Sequence, residues 1–284
     1  MYASLTQWVP APRRAPDGEA LFAIGDVHGY ADELEAMQHL IAAQVTGGSA
    51  HRSTVVYLGD YVDRGPDSGR ALDLLAANRT DEPNLRRIYL TGNHDQYLVE
   101  FIRPGGYIDM NFLAMWFANG GEQTLQSIGV QDYGRLVNAG RLEELGERTR
   151  EALGSSRLAL LDRLLFCHKA GDYLFVHAGI DPAVDLEAQE RSDLLMIREP
   201  FLSAARYWRH SFCVVHGHSI SRPIVLPHRI GVDAGCYWQG ALCAVQIVGE
   251  RLRFLGVTRK RDHRWARLLG GGGVWQWSEP TQVG

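Results

Sequence analysis

Three short glycine-flanked strings place oxygen and nitrogen donors at matched positions: GDVHG at Gly25 to Gly29, GDYVDRG at Gly59 to Gly65 and GNHD at Gly92 to Asp95. Asp26 and His28, two residues apart, suit one shared cation, and the two carboxylate oxygens of Asp60 suit a bridge between two cations. Asn93 offers a neutral carbonyl ligand, and His94 an imidazole that can donate a proton. Asp63 and Arg64 turn in behind Asp60. Two further histidine loops follow apolar runs: FVHAG with His177, and VVHGHS with His216 and His218. A lone D-x-H is usually a surface loop, and a lone histidine after a strand is usually a satisfied core residue. Three strings in this order and strand context make accident the poorer explanation. The chemistry such a set serves is phosphate-ester hydrolysis by water activated between two cations.

These donors need a scaffold. Apolar, β-branched runs at residues 21–24, 55–58 and 88–90 precede the strings and read as buried strands ending in ligand loops. Residues 31–44 carry Leu34, Met37, Leu40 and Ile41 at helical spacing, and Gly47 and Gly48 end the run. Ser68 is placed to cap a second helix with Leu72 and Leu75. Leu98, Phe101 and Ile102 mark a third, stopped by Pro104, Gly105 and Gly106. The order predicts three β-loop-α units, then a helical insert at residues 107–165 without a ligand string. Strands dominate afterwards: a hairpin turning at residues 169–172, then 212–215, 229–232, 241–248 and 251–257, the last two joined at Gly249 and Glu250. Pro10, Pro12 and Pro16 predict an irregular leader over 1–18. A single domain is expected over 19–260, with a tail over 261–284 that includes the glycine run 270–273.

Composition narrows the partners. With 284 residues, 45% hydrophobic and 22% charged, the chain reads as ordinary globular protein, and its net charge of -4 argues against a nucleic-acid partner. No stretch approaches the ~20 apolar residues of a membrane span, and the N-terminus has no apolar signal core, so no membrane partner is expected. Cys167, Cys213, Cys236 and Cys243 lack C-x-x-C spacing and read as reduced thiols of a cytoplasmic protein.

Taken together, the five strings resemble the phosphoprotein phosphatase (PPP) family of the calcineurin-like metallophosphoesterase superfamily, especially its bacterial and phage members, over roughly residues 20 to 248. The resemblance implies an α/β fold, a β-sandwich flanked by helices with two metals above the strand ends. It implies Asp26, His28 and Asp60 on one metal, and Asp60, Asn93, His177 and a late histidine on the other. Alignment of HGHS with the family's G-H-[TS] string selects His218, although a second histidine, here His216, is a ligand in more distant relatives. Manganese follows by analogy; iron and zinc suit the same donors. His94 oriented by Asp63 is then the general acid, and Arg64, Arg198 and Asn93 meet phosphate.

Two substrate classes fit. A serine/threonine-type phosphomonoesterase, acting on a phosphorylated protein or a small phosphate ester, leads because Asp63 precedes Arg64. A symmetrical dinucleoside tetraphosphatase is the alternative, since that group shares GNHD, the RGPDS-like continuation and the DAGCYW-like string at Asp233 to Trp238. GNHD in place of GNHE, and the lack of the eukaryotic C-terminal groove motif, set the chain apart from eukaryotic protein phosphatases. A catalytically dead scaffold predicts lost ligands, and none is lost.

Overall fold

The computed structural model describes residues 1–48, 50–77, 84–105, 108–259 and 277–283. After β1 (Tyr2–Leu5) and β2 (Val9–Pro10) come the three expected units: β3 (Glu19–Ile24) with α1 (Ala31–Thr46), β4 (Arg52–Tyr57) with α2 (Ser68–Ala77), and β5 (Leu85–Tyr89) with α3 (Asn93–Phe101). The insert is helical: α4 (Met110–Ala118), α5 (Gly121–Ser127), α6 (Tyr133–Asn138) and α7 (Leu142–Leu161). The rest comprises β6 (Cys167–Ala170), β7 (Tyr173–Val176), α8 (Arg191–Met196), β8 (Cys213–His216), β9 (Ile224–Val225), β10 (Arg229–Gly231), α9 (Cys236–Gln239), β11 (Ala241–Val248), β12 (Arg251–Thr258) and β13 (Thr281–Gln282).

Two sheets result. One runs β13-β1-β12-β11-β3-β4-β5 with β2 beside β12, and the other β6-β7-β8-β10-β9. Side chains alternate along each strand, and that alternation sorts the layers. Leu21, Ala23, Val56 and Ile88 face Tyr173, Phe175, Val215 and Ile230 across the sandwich. The intervening Phe22, Ile24, Val55 and Tyr57 pack under Leu34, Met37 and Leu72 of the helices. Leu174, Val176 and Val214 turn outward to Leu194 and Phe201. The expected β-sandwich flanked by helices is therefore what forms. Strands β3, β4 and β5 are mutually parallel, as are β7, β8 and β10. Ligand loops leave the C-terminal ends of β3, β4, β5, β7 and β8, which is where open parallel sheets bind ligands.

The ends of the chain differ from expectation. Residues 1–18 are not an irregular leader: Tyr2–Leu5 pairs antiparallel with β12, Tyr2 opposite Thr258, and Val9–Pro10 adds to the same strand. The prolines constrain the backbone only from Pro10 onward, and the partner of β1 lies at the far end of the sequence, where no local pattern announces it. Nor is the end a free tail, because Thr281 and Gln282 pair with Ala3 and Tyr2. The glycine run 270–273 lies outside the described residues. At α2 the cap is Asp67, whose Oδ1 accepts the Arg70 N–H at 3.2 Å, while the predicted cap Ser68 is buried and accepts the Asp63 N–H at 3.1 Å.

Candidate metal centre and active site

The Asp60 carboxylate stands between two imidazoles. Its Oδ2 lies 3.6 Å from His28 Nε2 and 3.5 Å from His177 Nε2. Both rings are turned by their far nitrogens: His28 Nδ1 donates to Val62 O at 3.0 Å and His177 Nδ1 to Leu58 O at 2.9 Å. That tautomer leaves each Nε2 as a lone pair, the form in which imidazole binds a metal. His177 Nε2 also lies 3.1 Å from Asn93 Oδ1, so acceptor meets acceptor. Burial, reinforced by neighbouring histidines, holds His28 and His177 well below the usual histidine range, which favours the neutral rings that can bind a metal. His218 joins them: its Nε2 is buried without a hydrogen-bond partner, and donor atoms of Asp60, His177 and His218 lie within 4.8 Å of one another. Asp26 accepts the His218 backbone N–H on both oxygens at 3.1 Å. Burial first, then Asp233 and Asp60, pushes Asp26 well above the usual carboxylate range, and burial and Asp95 do the same to Asp60. Converging lone pairs and uncompensated buried carboxylates are the donor chemistry that divalent cations satisfy. The residues present fit the implied metals.

Backbone strain and glycine gaps hold this geometry. All five non-glycine residues with positive φ among the described residues, His28, Asp60, Asp63, Arg64 and His218, belong to the site. A Cβ on Gly92 would collide with the Asp60 carboxylate, and one on Gly217 with that of Asp26.

Beside the donors stands a second constellation. Asp63, fully buried, binds His94 Nδ1 at 2.7 Å through Oδ2. Arg64 Nη2 reaches His94 Nε2 at 3.4 Å and Asn119 Oδ1 at 3.1 Å, and its guanidinium lies 4.5 Å from the Tyr237 ring centroid. Burial raises Asp63 above the usual carboxylate range against the pull of Thr124, Trp116 and Arg64; burial and then Arg64 lower His94. A cleft of about 500 Å³ opens over the site and is lined by Asp26, Asp60, Arg64, His94, Arg198 and His218, among others. Arg198 is exposed on its wall.

The family model for calcineurin-like phosphoesterases matches residues 21–248. The chain belongs to the calcineurin-like phosphoesterases. Among curated relatives, an asymmetrical bis(5'-nucleosyl)-tetraphosphatase of Oceanobacillus iheyensis is 23% identical over 78% of this chain and 86% of its own length. A symmetrical bis(5'-nucleosyl)-tetraphosphatase of Delftia acidovorans is 38% identical over 28% of this chain and 25% of its own. Of solved structures, a protein assigned as a diadenosine tetraphosphatase matches 87% of this chain and 97% of its own with a TM-score of 0.55 and 20% identity. A point mutant of a cold-active protein tyrosine phosphatase matches 85% and 80%, with a TM-score of 0.54 and 17% identity. Both structures speak to the fold.

The phosphoesterase brings Asp26, His28, Asp60, Asp63, Arg64, Asn93, His94, His177 and His218 together at one edge of the sandwich. His216 stands apart: its Nε2 accepts from buried Arg229 at 3.2 Å and its Nδ1 donates to Gly217 O at 3.0 Å. Sequence reasoning missed Asp95, Trp116, Asn119, Thr124 and Tyr237. Of these, Tyr237 falls in the DAGCYW string, as does the cleft-lining carboxylate Asp233, to which no role was given either, and Asp95 ends the GNHD string.

Proposed function

We propose that this phosphoesterase hydrolyses dinucleoside polyphosphates, with diadenosine tetraphosphate as the representative substrate. The observation that carries this reading is the apolar lip of the cleft. Met196 and Ile220 line it although exposed, and Trp238, next to the lining residue Tyr237, is 79% exposed. Exposed apolar side chains and the Tyr237 ring on the wall of a phosphate pocket suit a nucleobase, which packs on apolar and aromatic faces. The relatives named for this activity, spanning most of the chain, support the same substrate class.

In this reading Asp26, His28 and Asp60 hold one divalent cation, and Asp60, Asn93, His177 and His218 hold the other, with manganese as the proposed metal and iron or zinc as substitutes. Bound there, the pair supplies positive charge for phosphoryl oxygens and activates water. Arg64 and Arg198, with Asn93, bind phosphate oxygens; the Arg64 fork is held ready by Asn119 and Tyr237. His94, its ring fixed by Asp63, hands a proton to the departing oxygen; the anionic phosphate bound beside the ring favours the charged imidazole against the burial and Arg64 charge that lower it in the empty cleft. Four free cysteines support a reducing, cytoplasmic setting, and among the described residues no helix is long and apolar enough to cross a membrane.

The second reading is a phosphoserine or phosphothreonine monoesterase. The Asp63–His94 pair favours it, because a departing alkoxide needs a proton more than a departing phosphate does. Turnover of diadenosine tetraphosphate, a phosphopeptide and p-nitrophenyl phosphate by manganese-loaded protein separates the two. The proposal expects the highest kcat/KM for diadenosine tetraphosphate, and Trp238→Ala to raise KM for it more than for p-nitrophenyl phosphate. A higher kcat/KM for the phosphopeptide overturns it. The products then tell asymmetrical cleavage, giving mono- and triphosphate, from symmetrical cleavage, giving two diphosphates.

A further inference from the structure

The string MWFANGGEQT at residues 115–124 contributes nothing to the metal donor set described above, yet three of its side chains reach the catalytic loop. Trp116 is fully buried, and its one polar atom, Nε1, donates to Asp63 Oδ1 at 3.1 Å and Oδ2 at 3.0 Å. Thr124 Oγ1 donates to Asp63 Oδ1 at 2.7 Å and lies 2.9 Å from the Asp63 backbone N–H. Asn119, whose Nδ2 is tied to Met115 O at 2.9 Å, holds Arg64 through Oδ1. Two tight glycine contacts permit this approach. A Cβ on Gly120 would collide with the Arg64 backbone, and one on Gly121 would lie 2.6 Å from the indole of Trp116.

A buried tryptophan is ordinarily core, and Trp116 does pack on Phe101 with centroids 4.7 Å apart. What core packing does not require is an indole N–H spent on a carboxylate. Carboxylates rotate readily about their terminal torsion, so a single partner leaves the plane of the group free. Trp116 and Thr124 load Oδ1 and brace both oxygens, and Oδ2 is thereby presented to His94 Nδ1. Asp63 and Arg64 sit at φ 70° and 65°, conformations that persist only when their surroundings over-determine them.

We propose that Trp116 and Thr124 are positioning residues for proton delivery: the helical insert fixes the Asp63 carboxylate, which fixes the His94 ring that serves the leaving group. The inference rests on the reading of His94 as proton donor.

Its test is the dependence of kcat on leaving-group basicity with phenyl phosphate and p-nitrophenyl phosphate, using manganese-loaded wild type, Thr124→Val, Thr124→Ser, Trp116→Phe and His94→Asn. Thr124→Val, nearly isosteric, is expected to lose on the order of tenfold with phenyl phosphate and much less with p-nitrophenyl phosphate, part of the ~10²-fold or greater loss in His94→Asn. Thr124→Ser, which keeps the hydroxyl, restores the wild-type dependence, and Trp116→Phe follows Thr124→Val. Equal losses with both substrates in Thr124→Val and Trp116→Phe, while His94→Asn still discriminates, overturn the positioning role. A His94→Asn variant that does not discriminate overturns the proton-donor reading instead.

Discussion

The Asp95 carboxylate accepts the backbone N–H of Asp60 at 2.7 Å, tying the end of the third ligand string to the heart of the second. It also takes the N–H groups of Tyr61 at 2.9 Å and Gly92 at 2.9 Å. One carboxylate thus clamps two strand-end loops and holds Asp60 at φ 53°. Asp95→Ala leaves three buried donors unpaired at roughly 1–3 kcal/mol each, not fully additive. In manganese-loaded protein the expected result is a Tm lower by about 5–10 °C, read by calorimetry. An unchanged Tm would show that the clamp holds nothing.

How much of this was legible in the sequence depended on distance along the chain. Asp26, His28, Asp60 and His94 were readable because each directly follows a strand whose apolar run is visible locally. The three parallel strands and their helices were readable for the same reason. Asp95 sat in plain view, but its role is to accept N–H groups 34 and 35 positions away, which no local spacing records. Trp116, Asn119 and Thr124 read as ordinary helical residues, since only tertiary packing brings them to Asp63 and Arg64. The choice of His218 over His216 rested on motif alignment; the Arg229 contact to His216 supplies a physical ground for it. Strand β1 escaped notice because β12 and β13 flank it from the far end of the chain.

Asp60→Asn separates stability from function. In chelated protein, burial and nearby carboxylates oppose the Asp60 charge, and an amide removes it while keeping an oxygen for the His94 N–H, now 2.9 Å from Oδ1. Chelated Asp60→Asn is therefore expected to melt a few degrees above chelated wild type, whereas manganese raises the Tm of wild type and scarcely that of the variant. A chelated variant melting below wild type contradicts the electrostatic argument.

His216 and His218 should part ways on substitution. His216→Ala removes one of the partners of the buried Arg229 guanidinium, which keeps its bond to Leu202 O, and is expected to lower Tm while two manganese ions remain bound. His218→Ala removes an imidazole whose Nε2 has no protein partner, so manganese affinity should fall at least tenfold while chelated Tm, which loses the ring's packing on His177, falls less than in His216→Ala. Metal titration of both variants checks the pair, and loss of metal in His216→Ala would reverse the assignment.

Arg198 and Arg64 line one cleft but are held differently. Arg64 is fixed by Asn119 and Tyr237, and Arg198 is exposed. Arg198→Ala is expected to raise KM several-fold with a small change in kcat, and Arg64→Ala to lower kcat by about tenfold or more. Steady-state kinetics decide it; an Arg198→Ala enzyme with both constants unchanged makes that residue mere surface.

In the proposed function the Asp60 carboxylate is shared by two cation sites, one on the His28 side and one on the His177 side. The most direct test of that sharing is the number of manganese ions bound per chain at saturation, measured by elemental analysis after equilibrium dialysis of the intact protein. Two ions per chain are predicted, with both sites weakened together in Asp60→Asn. A plateau at one ion, or full hydrolytic activity in protein shown to be metal-free, would contradict the account.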